Sequence, residues 1–485
     1  MARSIKKNFV YSASYQVLNI IVPLITTPWL SRTIGAEGNG LFTYTQSIAN
    51  YFVLFAQLGI TNYGVREIAR CGYDRKLRSQ TFWDIFAMSV VWGSLVLLAY
   101  FGYTFVFGGT YLPLLLVWAC WVGGSVLDVT WLLNGCQEFR IPMVRSVCTR
   151  LAGMAAILLF VRTETDTIIY VGAIAMPFLL NALLVWPFVG NYVDFKRPTL
   201  DGAVAHIKPN LVLFVPVIAV SLYTLLDKVM LGAMAGMGQT GLYDYAEKIS
   251  KMPLAVVTAL GAVVLPRMTE VITAGRRDEA KELVATTMWF MEAVALGLAF
   301  GIMGVAKEFV PVFFGEGYSE CVPLMCVLSV IIPLICATNV IGVQYLVPSG
   351  RDHQYTISVL VGAAVNIAIN LVFIPQYGAM AAAVATVAAE LAVLVAQACM
   401  VHGELDLAGA ACGVVPFMGI GVIMLLCLRY LSGVIGDFAT TVPGLAIEVG
   451  AGLILYLALA LVWCLATRNA YFFRLFGRWF RTRCR

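Results

Sequence analysis

Residues 221–267 read SLYTLLDKVMLGAMAGMGQTGLYDYAEKISKMPLAVVTALGAVVLPR, and they set Asp227, Lys228, Asp244, Glu247, Lys248 and Lys251 between or within apolar runs. An ionisable residue at bilayer depth costs on the order of 2.5 to 3.5 kcal/mol on insertion scales, and it marks a functional site by default. How the rest of the chain makes these charges tolerable decides the fold.

The chain has 485 residues, 60% of them hydrophobic and 12% charged, with a mean hydropathy of +0.86. Soluble domains carry roughly 25% charged residues, so the composition describes an all-α polytopic membrane protein. About fourteen segments are long and apolar enough to span a bilayer. The second (40–62), fifth (143–161) and eighth (241–265) carry polar faces. The first follows Arg3, Lys6 and Lys7 as a secretory signal would, but it is long, holds Pro23 and Pro28, and meets no small-residue cleavage motif before the next span. It reads as a retained first helix.

Most of the 32 lysines and arginines fall at the two termini or in the even-numbered connections; the opposite connections hold Arg32, Arg162, Lys307 and Arg429. The positive-inside rule then predicts cytoplasmic termini. Arg150, Lys228, Lys248 and Lys251 remain, all at membrane depth.

Several chemistries are excluded. The 12 cysteines lack CxxC spacing and the three histidines lie far apart, so no metal site is expected. Gly236, Gly238 and Gly241 satisfy GxGxxG but follow no strand, and a Walker A sequence is absent. Tyr471, Phe472, Phe473, Phe476, Trp479 and Phe480, interleaved with arginines, predict an interfacial amphipathic end, not a nucleic-acid surface.

An internal repeat organises the rest. Displaced by 201 positions, Leu30, Gly35, Gly40, Leu41, Tyr44, Ile48 and Arg66 fall on Leu231, Gly236, Gly241, Leu242, Tyr245, Ile249 and Arg267. Six spans separate the copies, which predicts two six-helix lobes in parallel repeat, a transporter architecture with its site between the halves. The predicted division is 1–200, 201–402, and 403–485 for two further spans and a basic tail. In the first copy Thr43, Gln46, Asn50 and Gln57 share one helix face; the repeat places Asp244, Glu247, Lys251 and Thr258 on the other. Two readings stand. Asp244 with Lys248 and Glu247 with Lys251 are acid-first i, i+4 pairs, and with Asp227 and Lys228 the six charges sum to zero, as pure structural pairing requires. A duplicated polar face also fits the wall of a water-filled cavity.

The runs GITNYGVREIAR (59–70), LSRTIG (30–35), LDKVMLG (226–232), GLYDYAEKI (241–249), WLLNGCQEF (131–139) and IPQYG (374–378), with Ala385, Thr386 and Glu390, resemble the bacterial polysaccharide-transporter family of Wzx-type flippases. The resemblance covers about residues 1–400. It implies the fold of the multidrug, oligosaccharidyl-lipid and polysaccharide exporter superfamily, and transfer of an undecaprenyl-pyrophosphate-linked oligosaccharide across the inner membrane by alternating access. On that reading Arg150, Lys228, Lys248 and Lys251 offset the pyrophosphate. Asp227, Asp244 and Glu247 exchange a proton or sodium ion, with no other cofactor, and Thr43, Gln46, Asn50, Gln57 and Thr258 complete the cavity wall. Expected partners are the lipid-linked glycan, membrane lipids, and the polysaccharide polymerase and chain-length machinery. Export of cationic drugs is disfavoured by the buried basic residues. A membrane glycan polymerase or glycosyltransferase is expected to carry a larger loop or catalytic domain than these short connections allow.

Overall fold

The computed structural model describes residues 5–475, so Arg3, Phe476, Trp479 and Phe480 and the last arginines lie outside the described residues. Every described element is helical. Contacts gather into two compact units, Met1–Gly241 and Leu242–Arg485.

The first unit holds α1 (Ile5–Thr33), α2 (Gly35–Gln57), the short α3 (Ile60–Arg70), α4 (Arg75–Phe107), α5 (Leu112–Leu127), the short α6 (Thr130–Gly135), α7 (Arg140–Phe160), α8 (Thr167–Leu183), three-to-six-residue connectors that include α9 (Trp186–Val189) and α10 (Leu200–Ala205), and α11 (Ile207–Met234). Their starts follow capping chemistry: the Asp74 carboxylate accepts from the backbone N–H of Lys76 and Leu77 at 2.9 and 3.0 Å, satisfying donors that have no partner inside α4. The core is aromatic. Phe42 of α2 stacks on Tyr170 of α8 at 4.0 Å between ring centroids and meets Trp118 of α5 at 5.4 Å. The Trp118 indole donates to Thr45 Oγ1 at 3.0 Å, which satisfies its polar end inside the core.

The repeat has a physical counterpart here. Gly35 and Gly236, which correspond, both take positive φ (70° and 91°) at the turns into α2 and α12 (Met237–Lys251). Gly40 and Gly241, also a pair, are where the two helices touch. A Cβ at Gly40 would lie 1.8 Å from the Met237 carbonyl oxygen, and one at Gly241 would lie 1.8 Å from that of Ala36. Ala36 and Met237 are themselves repeat-related, so each glycine meets the carbonyl four residues ahead of the other. Only glycine permits backbones this close. Asn39 Nδ2 donates to the Gly241 carbonyl at 3.3 Å across the same crossing.

The second unit takes up the remainder of α12, then α13 (Leu254–Thr273), α14 (Arg277–Phe313), α15 (Cys321–Ser329), α16 (Ile331–Thr338), a π-helix at Asn339–Leu346, α17 (Asp352–Met400), α18 (Leu407–Ile435) and α19 (Val442–Ala466). α14 is the hub, packed against α13, α15, α16, α18 and α19. α17 has 49 residues and is broken at Gly378 (φ 52°, ψ −130°), three residues after Pro375. On α19, Leu453, Ile454 and Leu457 are more than half exposed, as expected of side chains solvated by lipid.

Ten described helices meet the length and hydropathy of a membrane span, fewer than the about fourteen read from the sequence. The difference has identifiable sources. α1, α2 and α11 are not among the ten, and α17 counts once although its break leaves two stretches of spanning length. The predicted eighth span, 241–265, is present but divided: α12 ends at Lys251, Met252 and Pro253 form a turn, and α13, which is counted, begins at Leu254. Proline has no N–H to continue the ladder.

Candidate functional site

In the second unit, α12 concentrates charge on one face. Asp244 and Glu247 are buried, 2% and 5% exposed, whereas the Lys248 and Lys251 side chains keep about a third of their surface open. Lys248 Nζ lies 2.5 Å from Asp244 Oδ2 and Lys251 Nζ lies 2.6 Å from Glu247 Oε1. The lysine stems thus carry their ammonium groups toward the open side while each carboxylate stays under its partner. Lys248 also stands over the Tyr245 ring at 5.9 Å.

The face is fixed against the second half of α17. The Tyr243 hydroxyl and Thr386 Oγ1 are hydrogen-bonded at 3.0 Å. One turn beyond Thr386, Glu390 is buried at 5% exposed and within electrostatic range of Lys251 and of Tyr355 on the first half of α17. Gln397 Nε2 donates to Ser358 Oγ at 3.2 Å, which ties the two halves together. Among these residues three carboxylates face two lysines. The i, i+4 pairing inferred from the sequence is present, and Glu390 is a third buried acid beside it. Glu390 was not among the expected site residues. The signal that finds it is the lone acid in the run AAAVATVAAELAV (381–393), by the same rule that singled out α12.

In the first unit, the α2 face bears on α11. The Tyr51 hydroxyl donates to the Ser221 carbonyl at 3.4 Å, and Asp227, 2% exposed, lies within electrostatic range of Tyr51. Thr43 is buried, Gln46 and Asn50 are half-buried, and Lys228 is half-buried next to Asp227. Gln57, the last residue of α2, lines a polar cavity of about 80 Å³ with Thr61, Ser89, Ser125, Asp128 and Thr130. Two expected residues stand elsewhere. Arg150 is half-buried on α7, whose main neighbours are α1 and α8. Thr258 is exposed on α13, beyond the break, and its hydroxyl donates to the Ala255 carbonyl.

Helices of this length and packing, with polar residues held inside, define a polytopic membrane bundle, and solved structures of transporters share its fold. The lipid II flippase MurJ in an inward closed conformation superposes with a TM-score of 0.76, covering 95% of this chain and 100% of its own at 12% identity. An inward-facing multidrug resistance MATE transporter of the MOP superfamily superposes at 0.59, covering 85% and 99%, also at 12% identity. The sequence narrows this further: the model of the family described as "Polysaccharide biosynthesis protein" matches residues 5–272, and the chain belongs to that family. Two relatives bear the name "Putative O-antigen transporter". The one from Escherichia coli K12 is 21% identical over 366 residues, 73% of this chain and 86% of its own. The one from Shigella dysenteriae is 20% identical over 387 residues, 77% and 94%.

Proposed function

We propose that the protein is a Wzx-type flippase that moves an undecaprenyl-pyrophosphate-linked oligosaccharide, a repeat unit of O-antigen, capsule or exopolysaccharide, from the cytoplasmic to the outer leaflet of the bacterial inner membrane. The observation that carries the reading is the α12 face, with two part-exposed ammonium groups held over buried carboxylates, in a chain whose family is that of polysaccharide biosynthesis proteins. A pyrophosphate needs positive charge in a site otherwise hostile to ions, and lysine supplies it as a mobile point charge. Lys248 and Lys251 are the first contacts in this reading, with Lys228 and Arg150 as further basic residues on the path. Asp227, Asp244, Glu247 and Glu390 exchange a proton or sodium ion, so that the cycle draws on an ion gradient or the membrane potential. The cytoplasmic placement of both termini rests on the distribution of basic residues, and no bond of the substrate is made or broken. Polymerase and chain-length proteins are the partners that receive the flipped unit.

The test uses cells lacking their own flippase. Wild-type protein is expected to restore surface glycan. Lys248→Ala and Lys251→Ala, at matched amounts in the membrane, are expected to lower it about tenfold or more, which corresponds to about 1.4 kcal/mol of lost transition-state stabilisation. Wild-type display by both variants would remove the lysines from the substrate path. Rescue of a lipid II flippase deficiency, with no rescue of glycan display, would assign the other anionic lipid as substrate.

A further inference from the structure

Within the first unit, the end of α2 carries a polar feature that the α12 face does not use. Thr43, Gln46, Asn50 and Gln57 lie on one face of α2, and Gln57, the last of them, lines the cavity of about 80 Å³. With it stand Thr61 on α3, Ser89 on α4 and Asn134 on α6. The side chains of these four residues make no hydrogen bond among the described residues, although enclosed polar groups are as a rule paired. Asp128 and Thr130 complete the polar wall, and hydrogen bonds join them to Arg145. The Thr130 N–H donates to Asp128 Oδ1 at 3.0 Å, and its hydroxyl donates to the same oxygen. Arg145 Nη2 donates to that hydroxyl at 2.8 Å. One hydroxyl thus bridges a guanidinium and a carboxylate, and their formal charges cancel. Asp128 Oδ2 accepts no hydrogen bond among the described residues. Ile60 and Trp131 supply an apolar side.

Charge and donor chemistry decide what fits there. An anion or a cation entering an enclosed site needs opposite charge to receive it, and here Asp128 and Arg145 already offset each other through Thr130. What remains is a neutral group that both donates and accepts. The carboxylate oxygen and the free hydroxyls accept, the hydroxyls and carboxamide N–H groups donate, and the apolar side meets C–H. The hydroxyl-bearing edge of a sugar ring has this makeup. At about 80 Å³ the cavity exceeds the ~30 Å³ share of one water and has room for a pair of hydroxyls or an acetamido group. We infer that it is a sugar subsite, which recognises one ring edge of a neutral saccharide unit through Asp128 Oδ2 and the carboxamides of Gln57 and Asn134. The inference rests on the flippase reading for the source of the sugar, the glycan carried by the lipid, and adds to it a specificity site in the first unit.

Saturation-transfer NMR on the full-length protein in lipid nanodiscs, with methyl glycosides of neutral hexoses and N-acetylhexosamines as probes, reads this without any transport step. At least one probe is expected to bind the wild-type protein, and Asp128→Asn and Gln57→Ala are each expected to weaken that binding about tenfold or more. Absence of binding by every probe overturns the inference, as does wild-type affinity in either variant. Inorganic phosphate that displaced the bound glycoside would also overturn it, by making the cavity an anion site. Thr61 is exposed, so Thr61→Trp obstructs the cavity from its open side and decides the matter if the other variants do not fold: glycoside binding must be lost, and retained binding contradicts the site. Glycoside binding by a protein that restores no surface glycan in flippase-deficient cells would uphold the subsite and remove the flippase reading. Restored glycan with no glycoside binding would uphold the reading and remove the subsite.

Discussion

Lys251 pairs with Glu247 on its own helix, at 2.6 Å, and lies within electrostatic range of Glu390 on α17. Removing one partner of a buried ion pair strands the other, at a cost of about 3 to 5 kcal/mol when the pair is fully enclosed, and less here because the lysine is about 31% exposed. Lys251→Ala is therefore expected to lower thermal stability in detergent as well as transport. The double change Glu247→Gln with Lys251→Met removes that pair's charges together while leaving Glu390 without the lysine, and is expected to recover part of the stability but none of the transport. Recovery of both would make the pair structural. His206 gives a second test. The Tyr63 hydroxyl meets its Nδ1 at 2.6 Å, and burial pushes the imidazole below its usual range, against the weaker pull of Asp84 and Glu67. The unfolded ring gains its proton near about pH 6.5, the folded ring only at lower pH. Stability is then expected to fall as pH drops from that value to the lowered folded one, and to level off below it. His206→Gln should flatten that part of the stability–pH profile, and an unchanged slope would contradict a half-buried ring held neutral. At this scale the sequence was informative where partners are four residues apart, as in α12. It showed Glu390 as a lone acid in an apolar run but not its neighbour, because Lys251 lies on a distant part of the chain and is brought near only by the packing of α12 on α17.

The crossing of α2 and α12 is the sharpest consequence of the repeat at the level of elements. Gly40→Ala and Gly241→Ala each drive a Cβ into a backbone carbonyl, and backbone cannot move aside as a side-chain tip does. Overpacking of this kind costs about 1 to 3 kcal/mol. Both variants are expected to melt at lower temperature than wild type, whereas Gly102→Ala, where a Cβ meets open space on α4, is expected to stay within about 0.5 kcal/mol of it. Equal melting of all three would deny the close approach. The pairing of these glycines was visible in the sequence because the repeat preserved them at fixed spacing. The break at Met252 and Pro253 was less so, since the apolar run 254–265 continues the hydropathy of a span across a proline that ends the helix. That break is why the expected face from Asp244 to Thr258 is not a single face, while its counterpart on α2 runs unbroken to Gln57.

For the molecule as a whole, hydropathy was enough to identify a polytopic helical bundle, because the bilayer leaves few alternatives for satisfying backbone groups. It was not enough to count the crossings, because α2 trades apolar residues for polar ones and α17 hides a break within one long apolar stretch. The polar residues of α2 that blur the count belong to the candidate site. Whether this chain turns a lipid-linked glycan across a bilayer is measured directly by reconstituting the purified protein in sealed liposomes containing an undecaprenyl-pyrophosphate-linked oligosaccharide and following the fraction of glycan open to an external glycosidase. With an ion gradient or potential imposed, that fraction is predicted to pass beyond the outer-leaflet share for wild type and to remain at that share for Lys248→Ala and Lys251→Ala; a wild-type fraction equal to that of protein-free liposomes would contradict the claim.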